Sequence, residues 1–366
     1  MREWCARFVA IGTILGSSAS GSTEPPACSF LPPNRPCVQS DLPDQSNVYT
    51  QLSLLYWGCG EKGLDFALKN KTSQTNSIIS VHKPSFKWDP AFRFILGYHL
   101  PQDNWKIDFT YSVFYQHVRN RIDDAINAFG QGILSVWTSP GAFLSENLFA
   151  RWQNAAAKWK IHAHLFDLML RHDLWNGKAL SFQPAFGLKM ALLQQRYDVI
   201  YSHGNTVSYE EVPETFLKST INMNNRSLNI GPEVICGSRW CMSPNWSLFG
   251  SLSGALLGAH FHVGRNEFDT SLFDEIYVGS YREKNHYWTY RPQGAFVFGI
   301  QWANCDCSKT KALHYALSAS YEAQYWWKQN MLLRHYDAPI AQSQTLAPAQ
   351  GDLFFHGLTI DLLFDF

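Results

Sequence analysis

From about Val48 to its last residue the chain alternates apolar and polar side chains with a period of two. The clearest stretch sets Trp105, Ile107, Phe109, Tyr111, Val113 and Tyr115 against Lys106, Asp108, Thr110, Ser112 and Gln116. Successive side chains of a strand point to opposite faces, so this spacing predicts a strand with one apolar and one polar face. The final segment, Phe354 to Phe366, repeats it. Leu358, Ile360, Leu362, Phe364 and Phe366 share one face, Thr359, Asp361 and Asp365 the other, and Leu363 is the exception. Strands of ordinary globular proteins average about five or six residues; these are far longer.

Composition decides what the apolar faces meet. Charged residues are 16% of the 366-residue chain and aromatics 15%, against roughly 25% charged in soluble domains. That balance suits a broad apolar exterior. No run of about 18 apolar residues is present to span a membrane as a helix. Lipid contact without such runs leaves the closed β-barrel, since every backbone polar group in hydrocarbon must be paired internally. A formal net charge of zero argues against a nucleic-acid surface.

Connection lengths give the topology. Strands are expected near Val48–Leu68, Phe86–Leu100, Trp105–His117, Ala157–Leu174, Leu180–Tyr201, Arg226–Cys241, Trp246–Val263, Trp288–Trp302, Ala312–Lys328 and Phe354–Phe366. A phase slip near Asp167 predicts a bulge in the fourth, and Pro184 interrupts the fifth. The connections alternate short and long, with long stretches at Val118–Ala156, Ser202–Asn224, Gly264–Asn285 and Gln329–Gly351. Short periplasmic turns and long external loops are the habit of outer-membrane barrels. The expected fold is therefore an all-β, transmembrane, antiparallel up-and-down barrel of ten strands. Splitting the first strand into a hairpin and adding one near Ser77–Lys83 gives twelve. Trp105, Trp159, Trp246, Trp288 and Trp302 fall near strand ends, as an aromatic girdle requires.

Residues 1–22 read as a secretory signal peptide: Arg2 and Arg7 flank an apolar core at Phe8–Leu15, and small residues follow. Residues 23–47 read as an irregular periplasmic lead-in and 48–366 as the barrel. The stretch 122–156 is too apolar for an ordinary external loop, and is expected to constrict or plug the mouth, to cap the rim or to mediate protomer contacts. The cysteine spacings match no zinc motif. In an exported chain Cys28, Cys37, Cys241, Cys305 and Cys307, all on the expected periplasmic side, are candidate disulfide partners.

With apolar faces outward, Lys106, Asp108, Lys160, His162, His164, Lys189, Glu233, Arg239, Arg291, Glu322 and Asp361 are expected to line the lumen. Mixed charge on that face sets ion selectivity in an open pore, or pairs across a narrow one and fills it. His162 and His164 lie two apart, a spacing that holds a metal only with a third ligand; polar lining is the better reading, and no metal or cofactor is expected. There is no G-x-S-x-G elbow, H-E-x-x-H or P-loop, and adjacent Ser202 and His203 point to opposite faces if extended, so the expectation is not an enzyme.

The segments LYWGCGEKGLDFAL, WDPAFRFILGYHLP, SYEAQYWWKQN and HGLTIDLLFDF, in that order, resemble the Legionella-type major outer membrane protein family, which has relatives in chlamydia-like bacteria. The resemblance implies a pore-forming outer-membrane protein passing small solutes or ions, embedded in outer-membrane lipid and with no catalytic residues. The alternative is a structural or surface-interaction protein, an adhesin or disulfide-linked envelope component, with an occluded barrel. The closing strand resembles those that barrel assembly machinery reads, which gives Leu358, Ile360, Leu362, Phe364 and Phe366 a role as assembly signal. Homo-oligomers and disulfide-linked envelope partners are further possibilities under this resemblance.

Overall fold

The computed structural model describes residues 47–72, 77–101, 105–125, 132–138, 150–176, 179–206, 217–243, 245–271, 277–304, 314–336, 345–348 and 351–365. The expected signal segment, most of the expected lead-in, Phe366, Cys28, Cys37, Cys305 and Cys307 lie outside them.

Ten antiparallel strands form the wall: β1 (Val48–Glu61), β2 (Trp88–His99), β3 (Trp105–Asp123), β4 (Ala150–His172), β5 (Leu180–Thr206), β6 (Leu217–Cys241), β7 (Trp246–Ser271), β8 (Tyr277–Ala303), β9 (His314–Asn330) and β10 (Gly351–Asp365). Each pairs with its sequence neighbour, and β10 pairs with β1, from Tyr49 opposite Asp365 to Glu61 opposite Leu353. The sheet has no open edge in the wall, which lets it sit in hydrocarbon. The twelve-strand option has a physical counterpart. Ala67–Thr72 and Ser77–His82 do form a hairpin, but it pairs with Gly132–Ser135, and that short strand meets β4 at Ile133–Trp152. The hairpin is attached to the wall, not inserted in it.

The strands are longer than the sequence pattern indicates. β5 and β8 each have 27 residues, whereas a membrane crossing needs about 9–11. The wall therefore continues past the bilayer on the long-loop side. Much of the stretches expected as loops at 118–156, 202–224 and 264–285 is strand, and the β7–β8 connection shrinks to 272–276. Above the membrane no lipid selects apolar residues for the outer face, so the alternation loses its expected sense.

The bulge expected near Asp167 is not there. β4 pairs with β3 in unbroken register from Trp105–His172 to Asp123–Asn154. Its odd-numbered residues from Ala155 to Arg171 point inward throughout. What changes near Asp167 is the polarity of the two faces, not their phase.

On the closing strand, Leu358 and Ile360 are 55% and 53% exposed, while Thr359 and Asp361 are buried. Leu362, Phe364 and Asp365 are half-buried. Lys62, in the turn after β1, donates to Tyr325 Oη at 2.8 Å and Asp352 Oδ2 at 3.1 Å, and these two bonds hold its ammonium above the usual lysine range.

Candidate functional site in the barrel lumen

The lumen has two halves of different chemistry. Toward the short turns it is filled by paired charges. Arg93 on β2 reaches across to Glu322 on β9, Nη1 to Oε1 at 2.6 Å and Nη2 to Oε2 at 2.8 Å, while its Nε donates to Ser112 at 3.0 Å. Strands β1 and β10 lie between β2 and β9, so the pair is a chord across the interior. This two-pronged geometry is the strongest guanidinium–carboxylate arrangement. Asp108 on β3 accepts from Arg171 Nε at 3.0 Å and from the Tyr49 hydroxyl. Lys189 on β5 lies between Glu233 at 2.8 Å and Asp167 at 3.1 Å.

Farther from the short turns the lumen is apolar and closed. Three segments turn inward: Lys62–Ala67, the stretch 132–138, which begins with the short strand, and the stretch 329–334, which begins with the last two residues of β9. Leu64, Phe66, Ile133, Trp137 and Leu332 are each at most 1% exposed and pack with Trp57, Trp159, Ile161 and Trp326 of the wall. Backbone groups of this plug are satisfied by side chains of the wall and of the plug itself, as buried polar groups must be. Tyr197 Oη donates to Leu64 O at 2.7 Å, Trp137 Nε1 to Asp65 O at 2.6 Å, and Asn225 Nδ2 to Gln329 O at 3.1 Å. Arg265 on β7 binds two plug segments at once: it donates to Leu333 O at 3.1 Å and to Trp137 O, and pairs with Glu267 at 2.6 Å. Glu61 is the carboxylate at the boundary, accepting from Trp159 Nε1 at 3.0 Å and Gln195 Nε2 at 2.8 Å.

Of the residues expected to line the lumen, Lys106, Asp108, Lys189, Glu233, Arg239, Arg291, Glu322 and Asp361 lie on the inner face. Most are engaged: Lys106 with Asp173 at 2.7 Å, Asp361 with Ser318 at 2.8 Å, and Arg291 over the Phe261 ring at 5.4 Å. Lys160, His162 and His164 do not belong with them. They face outward, where His164 Nδ1 lies 2.9 Å from Tyr111 Oη and His162 packs against Tyr115. Their partners on the same strand, Trp159 and Ile161, are fully buried inside. Trp159 therefore has no place in the aromatic girdle. The assignment fails because "apolar outward" holds only within the bilayer, and this part of β4 lies beyond it.

Arg93, Asp167, Arg171, Glu61 and Arg265 are missing from the expected set. Arg93 was legible, since it stands between Phe92 and Phe94 in the same alternation. Asp167 and Arg171 were hidden by the supposed bulge, and Arg265 by its assignment to a loop. Among the cysteines, Cys59 is buried on β1 and Cys236 is exposed on β6. Cys241 ends β6 beside a short turn, half-buried.

A family model described as "Legionella pneumophila major outer membrane protein precursor" matches residues 42–366. The chain belongs to this outer-membrane protein family. Its place is the bacterial outer membrane. No curated protein matches the chain. Solved structures similar to it include the outer membrane protease OmpT from Escherichia coli, at 10% identity over 90% of this chain and 99% of that one, with a TM-score of 0.35. A Pseudomonas aeruginosa FadL homologue is 10% identical over 88% and 90%, with a TM-score of 0.27. The P. putida toluene transporter TodX is 9% identical over 91% and 93%, with a TM-score of 0.23. Likenesses at this level carry no functional content.

Proposed function

We propose that this family member is a pore-forming outer-membrane barrel for small solutes or ions, and that its channel is shut at the outer end in the form described. The observation that carries the reading is the division of the lumen. The half toward the short turns is polar and lined by paired charges, and the other half is stopped by inward-turned segments, not by the wall. The plug is a separable part: its segments hang from the wall by hydrogen bonds to Tyr197, Asn225 and Arg265.

Magnitude decides how often such a channel opens. Withdrawing Leu64, Phe66, Ile133, Trp137 and Leu332 exposes five large side chains at about 1.5–3 kcal/mol each, a total on the order of 10 kcal/mol. Spontaneous opening is then rare, and steady conduction needs something that displaces the plug. The reading gives the chain no catalytic role. The second reading, a permanently occluded surface or envelope protein, is favoured by the extent of the apolar core.

Planar-bilayer recording separates the two. The gated pore predicts sparse openings in the wild type and a raised open fraction in Arg265→Ala, which frees Trp137 O and Leu333 O. Silence in both, from protein whose folded gel mobility is intact, supports the occluded barrel and overturns the pore. Large steady conductance in the wild type overturns the plug.

A further inference from the structure

On the outer face of β3 to β8, one line of cross-strand neighbours runs His117–Lys160–Arg196–Asn224–Gly264–Lys284. The neighbouring line on the bilayer side is Tyr115–His162–Gln194–Arg226–His262–His286. One line farther, Leu192, Leu228, His260 and Trp288 mark the edge of the apolar belt, with His260 stacked on Trp288 at 4.4 Å. The cations therefore stand immediately outside the hydrocarbon zone.

Two adjoining surface cavities of about 360 and 350 Å³ open here and share Asn224, Arg226 and Asn266. Lys160 and Arg196 line one, Arg282 and Lys284 the other. Against them stand two carboxylates, Asp198, which pairs with Arg196 at 2.9 Å, and Glu283 at the wall of the second cavity. Gly264 lines this second cavity, and a Cβ there would come within 2.8 Å of the Asn224 side chain. The patch is one-sided. Strands β9, β10, β1 and β2 carry Tyr321, His356, Tyr56 and Trp88 outward instead, a cluster of rings.

We infer that this surface binds a phosphate-bearing lipid of the outer leaflet, its head group in the two cavities and its acyl chains along the apolar outer face of β5 to β8. Charge and position argue together. Cations in a hydrophilic wall at the head-group level meet phosphate by charge-assisted hydrogen bonds, with arginine suited to two-pronged contact. Arg196 and Lys284 are three strand spacings apart, roughly 14 Å, which suits a head group carrying phosphates at its two ends. Exposed Leu188, Ile230 and Leu256 beneath offer the chains an apolar surface.

The test uses the full barrel in detergent micelles and bisphosphorylated lipid A as probe, with bound lipid counted by native mass spectrometry. Arg196→Gln/Arg226→Gln/Lys284→Gln should weaken binding about ten-fold or more. Gly264→Leu should weaken it with every charge retained, because it fills the second cavity. Lys328→Gln, on β9 away from the patch, should not change it. Heat-modifiable gel mobility verifies that each variant is folded. Unchanged lipid binding in the folded triple variant overturns the proposal. So does equal binding of dephosphorylated lipid, which removes phosphate recognition, or displacement by millimolar inorganic phosphate alone, which makes the surface a free-anion site.

Discussion

The two halves of the barrel wall are inverses of each other. Near the short turns, β4 to β7 show Leu168, Phe186, Leu188, Ile230 and Leu252 to the outside, and Asp167, Lys189 and Glu233 to the inside. Farther up the same strands, Lys160, Arg196 and Arg226 are outside, and Trp159, Ile161, Tyr197, Ile221 and Phe261 are inside. The backbone continues through the change without a shift in register on β4. The inversion follows the solvent. In the bilayer the outer face meets hydrocarbon, and the charges must pair with one another inside. Above it the outer face meets water and head groups, and the interior becomes a mainly apolar core holding a few buried charges such as the Arg265–Glu267 pair.

Substitutions on either side of the change test this contrast, with micelle refolding in urea as the common measurement. The largest effect is expected at Trp159→Ala, which opens a cavity in the upper core and removes the bond to Glu61, at a cost of about 3–5 kcal/mol. A girdle tryptophan would cost far less, so a small loss there breaks the inversion. Lys189→Met should destabilise by a similar or slightly smaller amount, about 3–5 kcal/mol at most, because Glu233 and Asp167 are left charged and unpaired. Neutralising both carboxylates as well should restore most of that loss; failure to do so means the charges do not act as one cluster. On the lipid face, Leu188→Arg is expected to cost about 2–4 kcal/mol. The smallest effect belongs to Lys160→Leu, within about 0.5 kcal/mol, since the side chain stands outside the wall above the belt. A loss as large as that of Trp159→Ala would return Lys160 to the lumen.

Much of the lower barrel was legible in the residues. Trp105 to Tyr115, Phe182 to Leu192 and Leu358 to Phe364 carry their outward face in plain alternation, and the same rule placed Lys189, Glu233 and Glu322 opposite. The upper barrel was misread by that rule. Trp159 and Ile161 look lipid-facing, and His162 and His164 look luminal, to any reading that assumes hydrocarbon along the whole strand. Of the long apolar insertion, the described residues 132–138 pack with Leu64, Phe66 and Leu332, which come from distant segments and share no local signal.

The sequence alone determined a closed antiparallel wall of amphipathic strands, because period-two faces without apolar helices leave lipid-embedded backbone no other way to pair. Terminal closure and the family followed from the same residues, which gave ten strands with twelve left open. Only the tertiary structure decided where along each strand the solvent changes, and hence which face is inside. It also decided that three separate segments meet to stop the lumen. Both depend on contacts between residues far apart in the chain, such as Arg93 with Glu322 and Tyr197 with Leu64, and local alternation cannot encode them.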